Sequence, residues 1–428
     1  MPPRNKTLEY LSSLHGHGIK LSLSRIKELL RLLGNPQDDF PTIHIAGTNG
    51  KGSTAAYLSS ISGRAGFKTG LYTSPHLIKF NERIQVSGRP ISDQAMRRIA
   101  VKVRKAAKKM TGPDRALSFF EFTTAMAFLY FKERSVDIGV IETGMGGRFD
   151  ATNVVTPLVS VITNIGLDHT MYLGAKVKDI AFEKAGIIKR GVPVITGEEK
   201  AEALAVIEKA SRRMGARLLK IGQDFTPRKG HDGRLDYSGV DIDIKSLTPG
   251  LRGAHQFKNA ACALAAIEVL RGSGFKIPVK AIRQGLKGTI WPARVDVVSR
   301  RPLVILDAAH NPDGALTLAN ALKEFRYKSL TLVLGIMADK DIPGILSSLA
   351  PLADNIIVCA PETDRAASPA LIVRMLGRML RPFSKPAVVK SSVKDGVAAA
   401  LKDARKGDAV CVTGSIFTVG EAKKYLKA

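Results

Sequence analysis

Short apolar runs recur along the chain, and between them apolar residues return every three or four positions. TIHIAG, TGLYT, VDIGVIE, LVSVIT and VPVIT, all in the N-terminal half, are runs of the first kind. Such runs, bounded by glycine, threonine or proline, read as buried strands, and the stretches between them as amphipathic helices. Their alternation predicts an α/β protein with mainly parallel sheets. TTAMAFLYF, the longest apolar segment, reads as a buried helix. It falls well short of the roughly 20 residues a membrane span needs.

The rhythm breaks twice. Around residues 222 to 250 the segment FTPRKGHDGRLDYSGVDIDIKSL is more polar, and its alternation and turn residues predict a small hairpin region. HQFKNAACALAAIEVLRGSG then reads as a helix closed by glycine. After WPARVDVVSRRP the βα pattern restarts with LVILDAAH, LTLVLGIM, NIIVCAPE, AVVKSS and DAVCVTGS. Five strands with intervening helices predict a second, smaller domain of about 130 residues. The boundary falls near Val298, giving domains 1–298 and 299–428 with Ser299–Pro302 as linker. A length of 428 residues supports that division, since it exceeds one ordinary domain.

Composition narrows the classes. The N-terminus MPPRNKTLEY has no apolar core of a secretory signal. Three isolated cysteines, Cys262, Cys359 and Cys411, lack metal-type spacing and suit a reducing cytoplasm. The formal charge of +27 raises the question of a nucleic-acid-dependent ATPase. Lysine and arginine are spread along the whole chain, however, with no basic stripe interleaved with aromatics. VKVRKAAKKM most resembles a solvated helix face. The charge therefore argues for anionic ligands at most.

The sharpest chemical signal is FPTIHIAGTNGKGSTAAYLSSI. A buried strand, a glycine-rich turn and a helix starting near Lys51 would gather backbone N–H groups around a phosphate. Gly47, Gly50 and Gly52 allow close approach, Lys51 supplies a cation, and Ser53 or Thr54 a hydroxyl for Mg²⁺. The ordinary spelling of such a loop needs glycine where Ile45 stands and a hydroxyl where Gly52 stands. VDIGVIE ends in Glu142, where an acid for the metal belongs, and ETGMGGRFDATN continues as a second glycine-rich loop. LVSVITNIGLDHT places Asp168 and His169 just past a strand, and IAFEKAGIIK sets Lys184 in an apolar helix. Lys184 reads either as a packed stem whose amine reaches water or as a lysine held near the metal site.

GTNGKGS, YTSPHL, ETGMGGRFDATN, LDHTMYLG, EKAGIIK, WPAR and LDAAHNPDG occur in one order from about Leu14 to Ile416. Together they resemble the folylpolyglutamate synthases and bifunctional dihydrofolate synthases of the Mur ligase superfamily. The resemblance implies an ATP-binding, P-loop-type domain, a smaller Rossmann-like domain, and catalysis in the cleft between them. It also implies ATP-driven addition of L-glutamate to a folate, by a cytoplasmic monomer, with one or two Mg²⁺ ions. In that resemblance Asn49, Gly50, Lys51, Gly52 and Ser53 form the phosphate loop. Ser53, Ser74, Glu142, His169 and a carbamylated Lys184 hold metal, and Asn259, Arg294, Asp307 and His310 contact nucleotide. The acceptor side maps to Gly18, Ile19, Lys20, Ser118, Phe149, Asp150 and Ala151. In bifunctional dihydrofolate synthases the position of Lys20 is an aspartate that accepts hydrogen bonds from the pterin. Lysine has no acceptor, which leans the chain toward polyglutamylation. Another Mur-type ligase acting on a cell-wall precursor is the alternative, which the FDATN and LDHTMYLG wording disfavours.

Overall fold

A computed structural model describes residues 6–14, 22–111, 115–379 and 387–427. Its first sheet holds β1 (Thr42–Ala46), β2 (Thr69–Tyr72), β3 (Ile84–Val86), β4 (Arg89–Pro90), β5 (Ile138–Glu142), β6 (Val159–Ile162), β7 (Val194–Thr196) and β8 (Leu218–Lys220). The spatial order is β4-β3-β2-β5-β1-β6-β7-β8, parallel from β2 to β8, with β3 and β4 antiparallel at one edge.

Every residue of β1 and β5 is buried, because helices cover both faces. Ile43, Ile45, Ile138 and Val140 pack on one side with helices Lys51–Arg64, His255–Gly272 and Val279–Gly288. Ile141 points the other way, toward helices Ser24–Leu32, Asp93–Ala107 and Phe119–Glu133. Ala46 also leaves the first face, toward helix Val177–Ala185. TTAMAFLYF lies in the buried helix Phe119–Glu133, and VKVRKAA lies in a helix whose buried stripe is Met96, Ile99, Ala100, Val103 and Ala106.

The polar insertion folds as β9 (Thr226–Lys229), β10 (Leu235–Ser238) and β11 (Asp243–Leu247), an antiparallel sheet ordered β11-β10-β9. Leu235, Tyr237, Ile244 and Leu247 plug it onto helix His255–Gly272.

The second sheet holds β12 (Asp296–Arg300), β13 (Leu303–Leu306), β14 (Leu330–Leu334), β15 (Asn355–Val358), β16 (Val388–Val389) and β17 (Ala409–Thr413), in the order β12-β13-β17-β14-β15-β16. It has six strands where the sequence pattern gives five. Ser299 and Arg300, read as linker, pair with Val304 and Leu303. β12 is an edge strand with no fully buried residue and two of its five exposed, so its apolar periodicity is weak. The chain crosses between the sheets earlier, in residues 289–295.

Candidate active site

The glycine-rich turn after β1 runs into helix Lys51–Arg64, as its sequence demands. Gly50, at φ 82°, caps helix Lys51–Arg64 in the left-handed region, where a side chain would also meet Asn259 Oδ1. A Cβ on Gly52 would stand 2.9 Å from Trp291 Nε1, so the indole fills the space a hydroxyl residue would need. Asn49 is pinned from both ends: its N–H donates to Asn164 Oδ1 at 2.8 Å, and its carbonyl accepts from Thr163 Oγ1 at 2.6 Å. The Lys51 ammonium folds back on the carbonyls of Gly47 and Thr48, at 2.9 and 3.1 Å. Buried Ser53 accepts from Gln256 Nε2 at 3.4 Å, and Asn259 donates to Gln256 Oε1 at 3.0 Å.

Strand register brings in the acid. β5 pairs with β1 so that Glu142 lies opposite Ile45, just before the loop. Its Oε2 accepts the Ser74 N–H at 3.1 Å. Burial pushes the Glu142 carboxyl up, against the pull of Lys51 and Arg294. Lys184 projects from helix Val177–Ala185 and donates to the Gly47 carbonyl at 2.8 Å, the same oxygen Lys51 uses. Burial, and then the Lys51 charge, push the Lys184 amine down to about 7. His169 sits at φ 51° ahead of helix Thr170–Leu173, and burial pushes its imidazole down to about 4 although Asp168 opposes the shift. It is neutral at physiological pH, the state in which a ring nitrogen binds metal.

The second sheet closes the site. Asp307, at the end of β13, accepts from Val295 N at 2.8 Å and Ala309 N at 2.9 Å. Arg294 is flanked by Ala293 at φ 61° and Val295 at φ 47°, and a β-branched residue in that region is strained. His310 donates from Nδ1 to the Ala308 carbonyl at 2.8 Å and turns Nε2 toward Asp168 at 3.3 Å. Asp168 also receives Asn311 Nδ2 at 3.1 Å and Lys340 Nζ at 2.6 Å. Asn311 exchanges hydrogen bonds with Asn49. Burial alone would raise the Asp168 carboxyl, but His310, His169 and Lys340 hold it far below the usual carboxylate range.

Two cavities meet here. One, of about 420 Å³, is lined by Lys51, Glu142, Lys184, Asn259, Arg294 and Asp307. The other, of about 790 Å³, is lined by Ser118, Phe149, Asp150 and Ala151. Ser74, His169 and His310 border both. Ser118 caps helix Phe119–Glu133 through a reciprocal box with Glu121, and Phe149 lies under the Arg148 guanidinium at 4.3 Å. Asp150 is committed to its own loop, accepting from Gly144 N, Met145 N and Thr152. Gly18, Ile19 and Lys20 lie outside the described residues. Sequence reading assigned no role to Asn311, Lys340, Thr163 or Trp291, and saw Asp168 only as a neighbour of His169.

Two family models match the chain: the Mur ligase middle domain over residues 45–267 and the Mur ligase glutamate ligase domain over residues 293–416. The chain is 38% identical over 411 residues to the folylpolyglutamate synthase of Lacticaseibacillus casei, covering 94% of each. It is 35% identical to the dihydrofolate synthase/folylpolyglutamate synthase of Bacillus subtilis, covering 97% of this chain and 98% of that one. Among solved structures, the Mycobacterium tuberculosis folylpolyglutamate synthase complexed with ADP and AMPPCP superposes with a TM-score of 0.91 at 33% identity, covering 99% of each chain. Among the described residues no helix is long and apolar enough to cross a membrane.

Proposed function

The chain belongs to the Mur ligase family, and from that premise we propose that it joins L-glutamate to a folate acceptor at the expense of ATP. The observation that carries this reading is the junction of the two cavities at Ser74, His169 and His310, with the phosphate loop on one side. ATP occupies the smaller cavity, its phosphates on the loop amides and Lys51. The acceptor occupies the larger one, its carboxylate at the junction.

The carboxylate oxygen attacks the γ-phosphorus, the bond to the bridging oxygen breaks, and ADP leaves. The amine of glutamate then attacks the acyl carbon, phosphate departs, and the amine loses a proton. Lys51 and Arg294 balance charge on the transferring group, and Asn49, held through Thr163 and Asn164, keeps the loop in position. Ser53, Ser74, Glu142 and His169 all line the smaller cavity. Although no three His, Cys, Asp or Glu cluster among the described residues, two hydroxyls, a carboxylate and an imidazole are the donors that would hold Mg²⁺ there. When bound, Mg²⁺ supplies charge neutralisation to the phosphoryl oxygens. An amine at about 7 is in part neutral at physiological pH, which supports carbamylation of Lys184. Its nitrogen adds to CO₂, releases a proton to water, and becomes an anionic oxygen donor.

We place the domain boundary in residues 289–295 and read the protein as a cytoplasmic monomer; buried, unpaired Cys262, Cys359 and Cys411 suit that compartment. The test is product analysis with ATP, glutamate and either tetrahydrofolate or dihydropteroate. Glutamylated product and ADP are expected with at least one acceptor. Lys51→Ala and Glu142→Ala are expected to abolish both while the protein stays folded. No product from either acceptor, or near-normal turnover in either variant, overturns the assignment.

A further inference from the structure

The larger cavity holds a buried cation that the reaction scheme above does not use. Arg83 ends the short helical turn Phe80–Arg83, at the start of β3, and is only 8% exposed. Its backbone carbonyl accepts the Thr73 N–H at 3.0 Å, which sets it beside Ser74 at the junction of the cavities. Nε donates to His76 Nδ1 at 2.8 Å, and Cζ lies 5.1 Å from the centre of the Phe119 ring. These contacts hold the guanidinium through Nε and the ring, and Arg83 lines the larger cavity.

Among the described residues no carboxylate forms an ion pair with Arg83. The carboxylates lining the cavity are committed elsewhere: Glu121 to Arg25 at 3.1 Å, Glu183 to Arg148 at 2.6 Å, Asp339 to Arg365 at 3.0 Å, and Asp150 to its own loop. Buried Arg25 has a carboxylate within ion-pair distance, whereas Arg83 has none among the described residues and feels Glu142 only as a longer-range charge. An unpaired buried charge is costly, and a ligand anion removes that cost. With Nε spent on His76, the remaining terminal edge of the guanidinium matches a carboxylate in a two-pronged pair.

We propose that Arg83 is the carboxylate-binding residue of the acceptor site, gripping a glutamate carboxylate of the folate next to Ser74. His76 and Phe119 orient it. This rests on the folate reading above and names which part of that substrate the cavity recognises.

The experiment measures equilibrium binding, without ATP, of tetrahydrofolate and of its analogue with both glutamate carboxylates converted to carboxamides. The parent protein is expected to prefer the acid by about tenfold or more. In Arg83→Gln that preference should fall about tenfold while the diamide binds as before. Arg83→Lys, the milder change should the first variant not fold, should lose at least about threefold of the preference. A melting curve reports folding for both. Parent binding of neither ligand overturns the folate reading itself. Parent binding with an undiminished preference in a folded variant overturns the role of Arg83 alone.

Discussion

His44, midway along β1, shows how a single buried side chain sets a pH limit. Its Nε2 lies 2.8 Å from Thr152 Oγ1, and Thr152 in turn donates to Asp150 Oδ1 at 2.5 Å. Thr152 has spent its proton, so Nε2 carries the imidazole hydrogen and Nδ1 is bare. Nδ1 has no described partner, so a second proton there would be buried without an acceptor. Burial, with Lys189 adding to it, accordingly pushes His44 down to about 3. An unfolded chain takes up that proton near the ordinary value of about 6.5. Between the two values the unfolded state binds more protons, so stability is full above about 6.5 and falls as pH drops toward 3. His44→Asn, which cannot protonate, should lose less stability over that window, read as urea midpoints at several pH values. Curves parallel to the parent's would show that His44 is not the sensor.

At the scale of elements, helix Val177–Ala185 docks on the second glycine-rich loop with almost no clearance. Arg148 N donates to the Glu183 carbonyl at 2.7 Å, and a Cβ on Gly147 would meet the carbonyls of Glu183 and Lys184 at 2.8 Å. Gly147→Ala must therefore displace the last turn of the helix, which carries Lys184. Overpacking of this kind costs about 1–3 kcal/mol. ADP release should drop further than the shift in melting temperature implies, when assayed where the variant is still folded; losses in proportion would mean that the helix position does not matter to the chemistry. The elements of this dock were legible in the sequence because β5, the glycine loop and the helix each carry a strong periodic or turn signal. β3, β4 and β8 were not, being two or three residues long and too short for periodicity to register. β12 was missed because half-exposed edge residues blur the apolar alternation.

For the whole molecule, Asp168 is a centre of the contacts that hold the two sheets' domains together, beside the Asn49–Asn311 and Lys200–Asp313 pairs. It comes from the loop after β6, yet Asn311 lies 143 positions away and Lys340 172. No local pattern connects such residues, which is why the strand, turn and helix around Lys51 were legible and this cluster was not. Removing one partner of a buried pair costs about 3–5 kcal/mol when the other stays buried. Separation of the domains would relieve that cost. Asp168→Asn should enlarge the radius of gyration in X-ray scattering and lower turnover at least about tenfold. An unchanged scattering curve would count against the latch. The crossing in residues 289–295 adds a further tie, because Trp291 leans on the glycine-rich turn at Gly52. That contact also orders the histories open to this protein. A descendant could gain a hydroxyl at position 52 only after its indole had given way, so the two changes have a required sequence, aromatic first.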